Sequence, residues 1–296
     1  MNLAVVVNPA ARAGVGVPAA AEAVEALRDH GHTVAVISGG SAAETSALIR
    51  TALGHRIDGL VVVGGDGTIA LAAQELAGTG IPLGVVPTGT GNDFAAHLGI
   101  PELTPRRAAA VVHAGATRAM DLARVTRADG SSQLYTTVLA SGFDSNVNDR
   151  ANRMRWPRGH MRYNIAILLE FLFLAPLPFT VEVDGVRIDG PLVLASVANT
   201  RTYGGGIPIC PAADATDGLL DVVVVRPGGR LRLLRLLPTL YRGTHVAHPE
   251  VETHSGRTVR LAAPGVTAYA DGDPVGALPI TVEAVPGALT VFAPAG

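Results

Sequence analysis

The stretch that decides the fold is Leu60–Thr68, which reads LVVVGGDGT. Its apolar run indicates a buried strand of a parallel sheet, and the glycines that follow end that strand abruptly. A second glycine-rich turn, Pro87–Phe94 (PTGTGNDF), comes one predicted helix later. Open α/β sheets bind ligands at the carboxyl ends of their strands, where both turns would lie. Because glycines there let backbone N–H groups approach an anion, the two turns predict a nucleotide phosphate site.

Length and composition predict an ordered protein with two domains. The chain has 296 residues, which is long for one hydrophobic core, and 48% of them are hydrophobic. The formal net charge of −2 gives no reason to expect a nucleic-acid partner. Cys210 is the single cysteine, so a disulfide within the chain is excluded and a cytoplasmic location fits.

No signal peptide and no transmembrane segment are predicted. The chain starts with a short strand that no basic segment precedes. The most apolar stretch, Ile165–Phe179, contains Glu170 and ends at Pro176 and Pro178, so it is too short and too broken to cross a bilayer. Two interpretations stay open for it: a buried core helix, or a helix that lines a lipid site or touches a membrane surface.

A basic segment lies immediately before this apolar stretch. Its members surround Trp156 and are Arg153, Arg155, Arg158 and Arg162. A solvated face is one interpretation, and docking on anionic lipid headgroups is the other.

The order of predicted elements changes near Asp121. Before it, strands alternate with helices, which predicts a parallel sheet covered by helices. After it, strand-like runs separated by Asp-Gly turns dominate, which predicts an antiparallel domain. The predicted helices are 18–29, 42–53, 68–76, 104–113, 162–174 and 231–242, with Gly115 as a C-cap. The predicted strands are 3–8, 33–37, 59–63, 83–86, 134–140, 179–183, 192–197, 219–225, 258–262 and 266–270.

Five motifs in one order make a family resemblance specific. They are Val7–Pro9, Gly64–Thr68 (GGDGT), Gly89–Phe94 (GTGNDF), Ala213–Asp221 (ADATDGLLD) and Asp271–Asp273 (DGD). This set resembles the diacylglycerol kinase and sphingosine kinase superfamily, in its bacterial soluble lipid kinase branch. The resemblance implies an N-terminal α/β nucleotide-binding domain over residues 1–122, completed by residues 280–296. It also implies a C-terminal, mainly antiparallel β-sandwich domain over residues 123–279 that binds the lipid.

The resemblance also implies a binding site for ATP and Mg²⁺ in the first domain. The residues that it assigns to the nucleotide are Asn8, Pro9, Arg12, Ser38, Gly64, Gly65, Asp66, Gly67, Thr68, Thr90, Asn92, Asp93 and Asp121. Among these, Asp66, Asp93 and Asp121 would form a carboxylate network that orients Mg²⁺ and its waters. Taken alone, Asp66 could be a helix N-cap, Asp121 a strand-end cap and Thr90 part of a turn.

A second metal site is implied in the acidic loop. There the Asp217 side chain and backbone carbonyls near Asp214 and Leu219 would hold a structural Mg²⁺. A solvated acidic turn is the alternative, because the loop lacks the twelve-residue Ca²⁺ pattern with its closing glutamate.

The resemblance implies that Asp273 is the catalytic base and that Asp66 is the second catalytic residue. Relatives commonly carry a glutamate at the position of Asp273, and aspartate shortens the reach by about 1.5 Å, roughly one C–C bond. A base must reach hydrogen-bond distance of the substrate hydroxyl. Asp271-Gly272 also predicts a turn between two strands.

The predicted activity is transfer of the γ-phosphoryl group of ATP to a lipid hydroxyl, with diacylglycerol as the leading acceptor. Sphingoid bases, phosphatidylglycerol and polyprenols stay open as acceptors. The predicted site of action is the membrane surface on the cytoplasmic side, and a homodimer is an open alternative for the assembly. An NAD kinase is the nearest rival function, and a catalytically weak lipid- or nucleotide-binding regulator is another.

Overall fold

The computed structural model describes residues 1–8, 16–100, 102–154, 156 and 160–294. The chain divides into two compact units. The first contains Met1–Leu122, Gly204–Gly206 and Val285–Gly296, and the second contains Ala123–Tyr203 and Ile207–Ala284.

The first unit is an alternation of strands and helices. Its elements are β1 (Asn2–Val7), α1 (Gly16–Asp29), β2 (Thr33–Ile37), α2 (Ala42–Gly54), β3 (Gly59–Gly64), α3 (Asp66–Leu76), β4 (Leu83–Pro87), α4 (Asp93–His97) and α5 (Pro105–Ala114). The strands lie in the order β2-β1-β3-β4 and are parallel throughout. The last strand of the chain, β16 (Ile280–Phe292), continues this sheet, because Val291 pairs with Leu83 in parallel.

Burial and capping explain why these segments form. Every residue of β3 is buried, as its continuous apolar run requires of a central parallel strand. Thr104 caps α5 by accepting from the Arg107 N–H, and Pro105 occupies the first turn. Gly115 ends the helix in the left-handed conformation, with φ of 71°, so the predicted C-cap is confirmed.

The second unit consists of strands with three α-helices and one short 3-10 helix (His245–Ala247) among its described residues. Its elements are β5 (Thr117–Arg127), β6 (Ser132–Tyr135), β7 (Val138–Gly142), α6 (Phe143–Arg153), α7 (His160–Leu172), β8 (Leu177–Val183), β9 (Val186–Leu192), β10 (Leu194–Ala198), β11 (Leu220–Val225), α8 (Arg230–Leu240), β12 (Val251–Gly256), β13 (Thr258–Ala262), β14 (Thr267–Ala270) and β15 (Asp273–Ala277). The first residues of β5 belong to the first unit.

Two antiparallel layers form the second unit. One is a six-stranded sheet in the order β12-β11-β10-β7-β14-β15. In the other, β16 pairs with β13, β13 with β8 and β8 with β9. Side chains from both layers, such as Val222 and Val259, are buried in one core. The predicted fold class, an α/β domain followed by a mainly antiparallel β-sandwich domain, is confirmed.

Two local predictions are wrong. The run 134–140, predicted as one strand, is broken at Thr136 and Thr137 into β6 and β7. Helix α6 was not predicted, because its sequence FDSNVNDRANR is rich in Asn and Asp, which have low helix propensity. Tertiary packing stabilises this helix, since Val147 and Ala151 are buried against Ala166 of α7. Within the described residues, no helix is both long enough and apolar enough to cross a membrane.

Candidate active site

The two glycine-rich turns of the first unit lie side by side. Strands β3 and β4 are parallel neighbours with Gly64 opposite Pro87, and the Thr88 N–H donates to the Gly64 carbonyl at 3.0 Å. A Cβ added at Gly65 would lie 2.9 Å from Gly89 Cα, and one added at Gly89 would lie 2.6 Å from Gly65 Cα. The two backbones therefore touch, and only glycine fits at either position.

The carboxylates of both turns flank Gly91. A Cβ at Gly91 would lie 2.8 Å from Asp66 Oδ2 and 3.1 Å from Asp93 Oδ2. Asp66 begins α3, and its Oδ1 accepts a hydrogen bond from the Phe94 N–H at 3.1 Å. The structure thus brings together two of the three predicted members of the carboxylate network.

Asp93 accepts hydrogen bonds from the glycine segment Gly204–Gly206, a contact that the sequence alone does not indicate. Its buried carboxylate accepts from the Gly205 N–H at 2.9 Å and from the Gly206 N–H at 2.8 Å. Gly204, Gly205 and Gly206 all have positive φ. Three consecutive glycines in the sequence were the available signal, but nothing in their spacing linked them to Asp93.

Hydroxyl and amide groups line the same edge of the sheet. Asn8 Nδ2 donates to Thr68 Oγ1 at 3.3 Å. Thr88 Oγ1 is buried and has no hydrogen-bond partner among the described residues. Thr90 is exposed, and a Cβ at the exposed Gly67 would meet no atom within 4 Å. Pro9 and Arg12 lie outside the described residues.

Ser38 and Asp121 have other surroundings. Ser38 is exposed and follows β2, which is separated from β3 by β1. Asp121 is buried, and its Oδ1 accepts from the Gly287 N–H at 2.7 Å, where Gly287 has φ of 59°. Its carboxylate therefore holds the backbone of β16 at this glycine.

The chain in this region can accommodate a nucleotide with its cation. The open space at Gly67 lies at the N-terminus of α3, where backbone N–H groups and the helix dipole favour phosphate. Mg²⁺ prefers one or two carboxylates together with phosphate oxygens and water, which Asp66 and Asp93 could supply. Within the described part of the chain, no group of three or more His, Cys, Asp or Glu side chains is arranged to hold a metal ion.

Asp273 follows a tight hairpin turn in the second unit. Asp271 and Gly272 are the two turn residues between β14 and β15, with φ of 51° and 89°. Two residues with positive φ form the turn type that matches the twist of a hairpin. Asp273 comes directly after the turn, pairs with Ala270 and is exposed.

The Asp271 carboxylate fixes this hairpin to the break between β6 and β7. Its Oδ2 accepts from the Thr136 N–H at 2.8 Å and from the Thr136 hydroxyl at 3.0 Å. Its Oδ1 accepts from the Thr137 N–H at 2.8 Å and from the Thr137 hydroxyl at 2.6 Å. Burial raises the pKa of Asp271, while these hydrogen bonds oppose the rise. The sequence alone does not indicate this role, because the partners lie 134 and 135 residues away.

Replacing Asp271 by alanine is expected to lower the free energy of unfolding by about 3–5 kcal/mol. The change leaves four buried hydrogen-bond donors without their acceptor. It also places alanine, which has a β-carbon but no polar side chain, at a position with positive φ. Urea unfolding of the purified protein measures the effect. Asp271→Asn, which keeps one acceptor oxygen, should lose clearly less, and equal losses in both variants would contradict the role assigned to these hydrogen bonds.

The acidic loop is built of local turns. Asp214 Oδ1 accepts from the Thr216 N–H at 3.1 Å, and Asp217 Oδ1 accepts from the Leu219 N–H at 2.9 Å. Burial raises the pKa of Asp221, and the charges of Asp217 and Asp214 add to the rise. The charges of Asp214 and Asp217 therefore disfavour the ionised form of Asp221.

An apolar pocket with an internal volume of about 50 Å³ lies within the second unit. Apart from Asp144 and His245, every side chain that lines it is aliphatic or phenylalanine, and most come from α7, α8 and the ends of β10 and β11. His245 is buried, and its Nε2 lies 2.9 Å from the Ile209 carbonyl. Burial lowers the pKa of His245, which favours the neutral ring. The apolar lining of this pocket suits contact with part of an acyl chain.

Asp144 is the titratable carboxyl group of this pocket. Its Oδ2 accepts from the Tyr203 hydroxyl at 2.7 Å and from the Ser196 hydroxyl at 3.4 Å. Burial raises the pKa of Asp144 to about 6, although both hydrogen bonds oppose the rise. The sequence alone does not indicate a special environment for Asp144, because nothing in the neighbouring residues marks it as buried.

Asp144→Asn is expected to stabilise the protein at pH 8 by about 2–3 kcal/mol and to leave stability at pH 4 nearly unchanged. Between about pH 4 and pH 6 the folded protein keeps a proton that the unfolded chain has released, so the free energy of unfolding falls as pH rises. The amide avoids this cost and can still accept from Tyr203. Urea unfolding at both pH values measures the difference.

The control for Asp144→Asn is Glu102→Gln, which removes an exposed carboxylate. This variant should keep the wild-type dependence of stability on pH. If the free energy of unfolding of Asp144→Asn changed with pH as that of the wild type does, this result would contradict the raised pKa of Asp144.

Both parts of the chain match known families. Residues 2–125 match the diacylglycerol kinase catalytic domain, and residues 137–293 match the YegS C-terminal NAD kinase beta sandwich-like domain. A diacylglycerol kinase of Mycobacterium tuberculosis is 47% identical, over 97% of this chain and 93% of the relative.

Solved structures show the same fold. A diacylglycerol kinase from Bacillus anthracis has a TM-score of 0.73 at 19% identity, over 99% of this chain and 96% of that chain. An NAD kinase from Archaeoglobus fulgidus, solved in complex with ATP, has a TM-score of 0.54 at 17% identity, over 99% of this chain and 93% of that chain. At these identities the structures bear on the fold alone. The two matched families and the 47% identical relative show that this chain belongs to the diacylglycerol kinase family of lipid kinases.

Proposed function

We propose that this protein is an ATP-dependent lipid kinase that transfers the γ-phosphoryl group of ATP to the free hydroxyl of diacylglycerol. The observation that carries the proposal is the pair of glycine turns, which touch at Gly65 and Gly89 while Asp66 and Asp93 flank Gly91. Membership of the diacylglycerol kinase family and the apolar pocket of the second unit support a lipid acceptor.

The first unit is the proposed nucleotide-binding domain. The backbone N–H groups at the start of α3 and in the turn 88–92 would hold the phosphates, and Thr88 and Thr90 would add hydroxyl groups. Asp66 and Asp93 would hold Mg²⁺, which when bound neutralises charge on the phosphate oxygens. The two N–H groups of Gly205 and Gly206 keep the Asp93 carboxylate oriented.

The second unit is the proposed lipid-binding domain, and Asp273 is its proposed general base. The acceptor hydroxyl oxygen forms a bond to the γ-phosphorus, and the bond from that phosphorus to the β,γ-bridging oxygen breaks in line with it. The hydroxyl proton goes to Asp273, and ADP is the leaving group. The hairpin turn that Asp271 holds through Thr136 and Thr137 would position the backbone of Asp273.

The remaining assignments belong to the same proposal. Asp217, with carbonyl groups near Asp214 and Leu219, is the proposed structural Mg²⁺ site, because carboxylate and carbonyl oxygens are ligands that Mg²⁺ prefers. The proposed place of action is the cytoplasmic face of the membrane, where the lipid acceptor is available.

Transfer of labelled γ-phosphate tests the proposal. The purified protein is incubated with labelled ATP, Mg²⁺ and mixed micelles that contain diacylglycerol, a sphingoid base or phosphatidylglycerol, and in parallel with NAD. We expect an organic-extractable product from diacylglycerol that migrates as phosphatidic acid and is absent when Mg²⁺ is chelated. Label in a water-soluble product of NAD would establish the rival NAD kinase. ATP binding without transfer to any acceptor would favour a regulator.

A further inference from the structure

Three histidines from separate segments of the chain lie together in the first unit. His30 follows α1, His32 precedes β2, and His113 lies in the last turn of α5. The His30 and His113 rings are stacked, with centroids 4.2 Å apart and an interplanar angle of 10°. His32 Nε2 lies 3.2 Å from His113 Nδ1. We call these three side chains the histidine cluster.

The histidine cluster lies at the amino ends of the parallel strands. Thr33, which follows His32, begins β2 and pairs with Asn2 at the start of β1. The Met1 amino nitrogen lies 3.3 Å from His32 Nδ1. The glycine turns follow the carboxyl ends of β3 and β4, which run parallel to β1. The cluster is therefore at the opposite edge of the sheet from the proposed nucleotide site.

The titratable groups around His32 are all bases. The polar contacts of its ring within the described residues are with His113 and the Met1 amine. Burial lowers the pKa of His32, and the charges of the Met1 amine, His113 and His30 lower it further. His32 is therefore neutral near pH 7, and neutral imidazole is the form that binds a metal ion.

The distance between the two facing ring nitrogens fits a shared metal ion. Two ring nitrogens that each lie about 2.0–2.1 Å from one tetrahedral Zn²⁺ are about 3.3–3.4 Å apart. His32 Nε2 and His113 Nδ1 are 3.2 Å apart, so a small movement of either ring would bring both nitrogens to one ion. The stacked ring of His30 packs against His113 on one face and supports its orientation.

We propose that His32 and His113 form a binding site for a divalent transition-metal ion of the class of Zn²⁺. The described residues contain no group of three or more His, Cys, Asp or Glu side chains that could hold a metal ion, so water would complete the coordination of the ion. Imidazole suits Zn²⁺, Ni²⁺ and Cu²⁺, whereas Mg²⁺ prefers oxygen ligands. A bound ion would join the end of α5 to the start of β2. Neither ligand belongs to the proposed kinase site, so this metal site does not depend on the proposed function.

Calorimetric titration with Zn²⁺ tests the site. The full chain, without a polyhistidine tag, is freed of metal with a chelator and titrated at pH 8 in excess Mg²⁺ and without nucleotide. We expect the wild type to bind Zn²⁺. His32→Gln and His113→Gln should each weaken binding on the order of 100-fold, because the remaining imidazole then binds without a second ligand held beside it. At pH 5.5, where protons compete for both rings, wild-type binding should be weaker by about 10-fold or more.

Matched controls keep this test specific. His30→Phe keeps a ring stacked on His113 and should bind Zn²⁺ as the wild type does, because His30 is a neighbour and not a ligand. His55→Gln alters an exposed histidine elsewhere on the first unit and should also bind normally. Zn²⁺ should raise the urea midpoint of the wild type and leave those of His32→Gln and His113→Gln unchanged. Without metal, both variants should unfold at nearly the wild-type urea concentration.

The results distinguish a metal site from a hydrogen bond between the two rings. Absence of Zn²⁺ binding in the wild type, or wild-type affinity in either His32→Gln or His113→Gln, would overturn the proposal and leave only the hydrogen bond. If either variant fails to fold, imidazole nitrogen NMR spectra of the wild type decide the question. The His32 and His113 resonances should shift when Zn²⁺ is added while that of His55 does not, and unchanged His32 and His113 resonances would contradict the site.

Discussion

Replacing Asp273 by asparagine is expected to lower kcat for lipid phosphorylation by about 10²–10⁴-fold, the usual contribution of a general base. Asparagine keeps the size and polarity of the side chain but cannot accept the hydroxyl proton. The KM for ATP should change little, because the lost interaction acts on the acceptor hydroxyl in the transition state. Steady-state assays with diacylglycerol in mixed micelles measure both constants.

Two further variants define the role of Asp273. Asp273→Glu keeps a carboxylate on a side chain longer by one methylene, and we expect it to retain activity within about 10-fold of the wild type. Asp189→Asn removes an exposed carboxylate from β9 and should leave kcat unchanged. A nearly wild-type kcat in Asp273→Asn would exclude Asp273 as the general base. Another carboxylate would then have to accept the hydroxyl proton.

Gly89→Ala is expected to reduce kcat/KM for ATP on the order of 10²-fold and the free energy of unfolding by about 1–3 kcal/mol. The added methyl group would lie 2.6 Å from Gly65 Cα, a distance that two carbons do not adopt without backbone movement. Separating the two turns displaces the backbone N–H groups proposed to hold the phosphates. Steady-state kinetics with ATP as the varied substrate and urea unfolding measure the two effects, and calorimetric titration gives the ATP affinity.

Two other glycines, Gly54 and Gly67, lie where an added methyl group does not disturb the fold. At Gly54, the last residue of α2, an added Cβ meets no atom within 4 Å, so Gly54→Ala should preserve ATP binding and stability. At Gly67 the space is equally open, but it faces the proposed phosphates. Gly67→Ala should therefore stay stable and still bind ATP more weakly. Normal ATP affinity in both Gly89→Ala and Gly67→Ala would contradict the phosphate site.

The parallel sheet and the nearness of the two glycine turns could be predicted from local sequence. An apolar run ended by glycines has one stable environment, a buried strand with a loop at its carboxyl end, and two such strands in succession tend to be neighbours. The structure has β3 and β4 in this arrangement, with Gly64 opposite Pro87. The five motifs also indicated the diacylglycerol kinase family, and the matched family model and relative show it.

Distant partners could not be predicted in the same way. Asp271 was part of a recognised motif, yet its function as the acceptor for Thr136 and Thr137 depends on strands that meet only in the folded sandwich. Helix α6 was missed because packing against α7, and not local propensity, makes it helical. In both cases the decisive interaction involves residues far apart in the chain.

What the sequence by itself determined was the set of chemical groups and the elements that carry them: two glycine turns with Asp66 and Asp93, and the Asp271–Asp273 hairpin. Such features rest on backbone conformation and on contacts between residues near in sequence. Only the tertiary structure decided that Gly65 touches Gly89 and that Gly205 and Gly206 hold Asp93. It also decided that burial raises the pKa of Asp144. These depend on which surfaces the packed core brings together, and the free energy of that packing is a property of the whole fold.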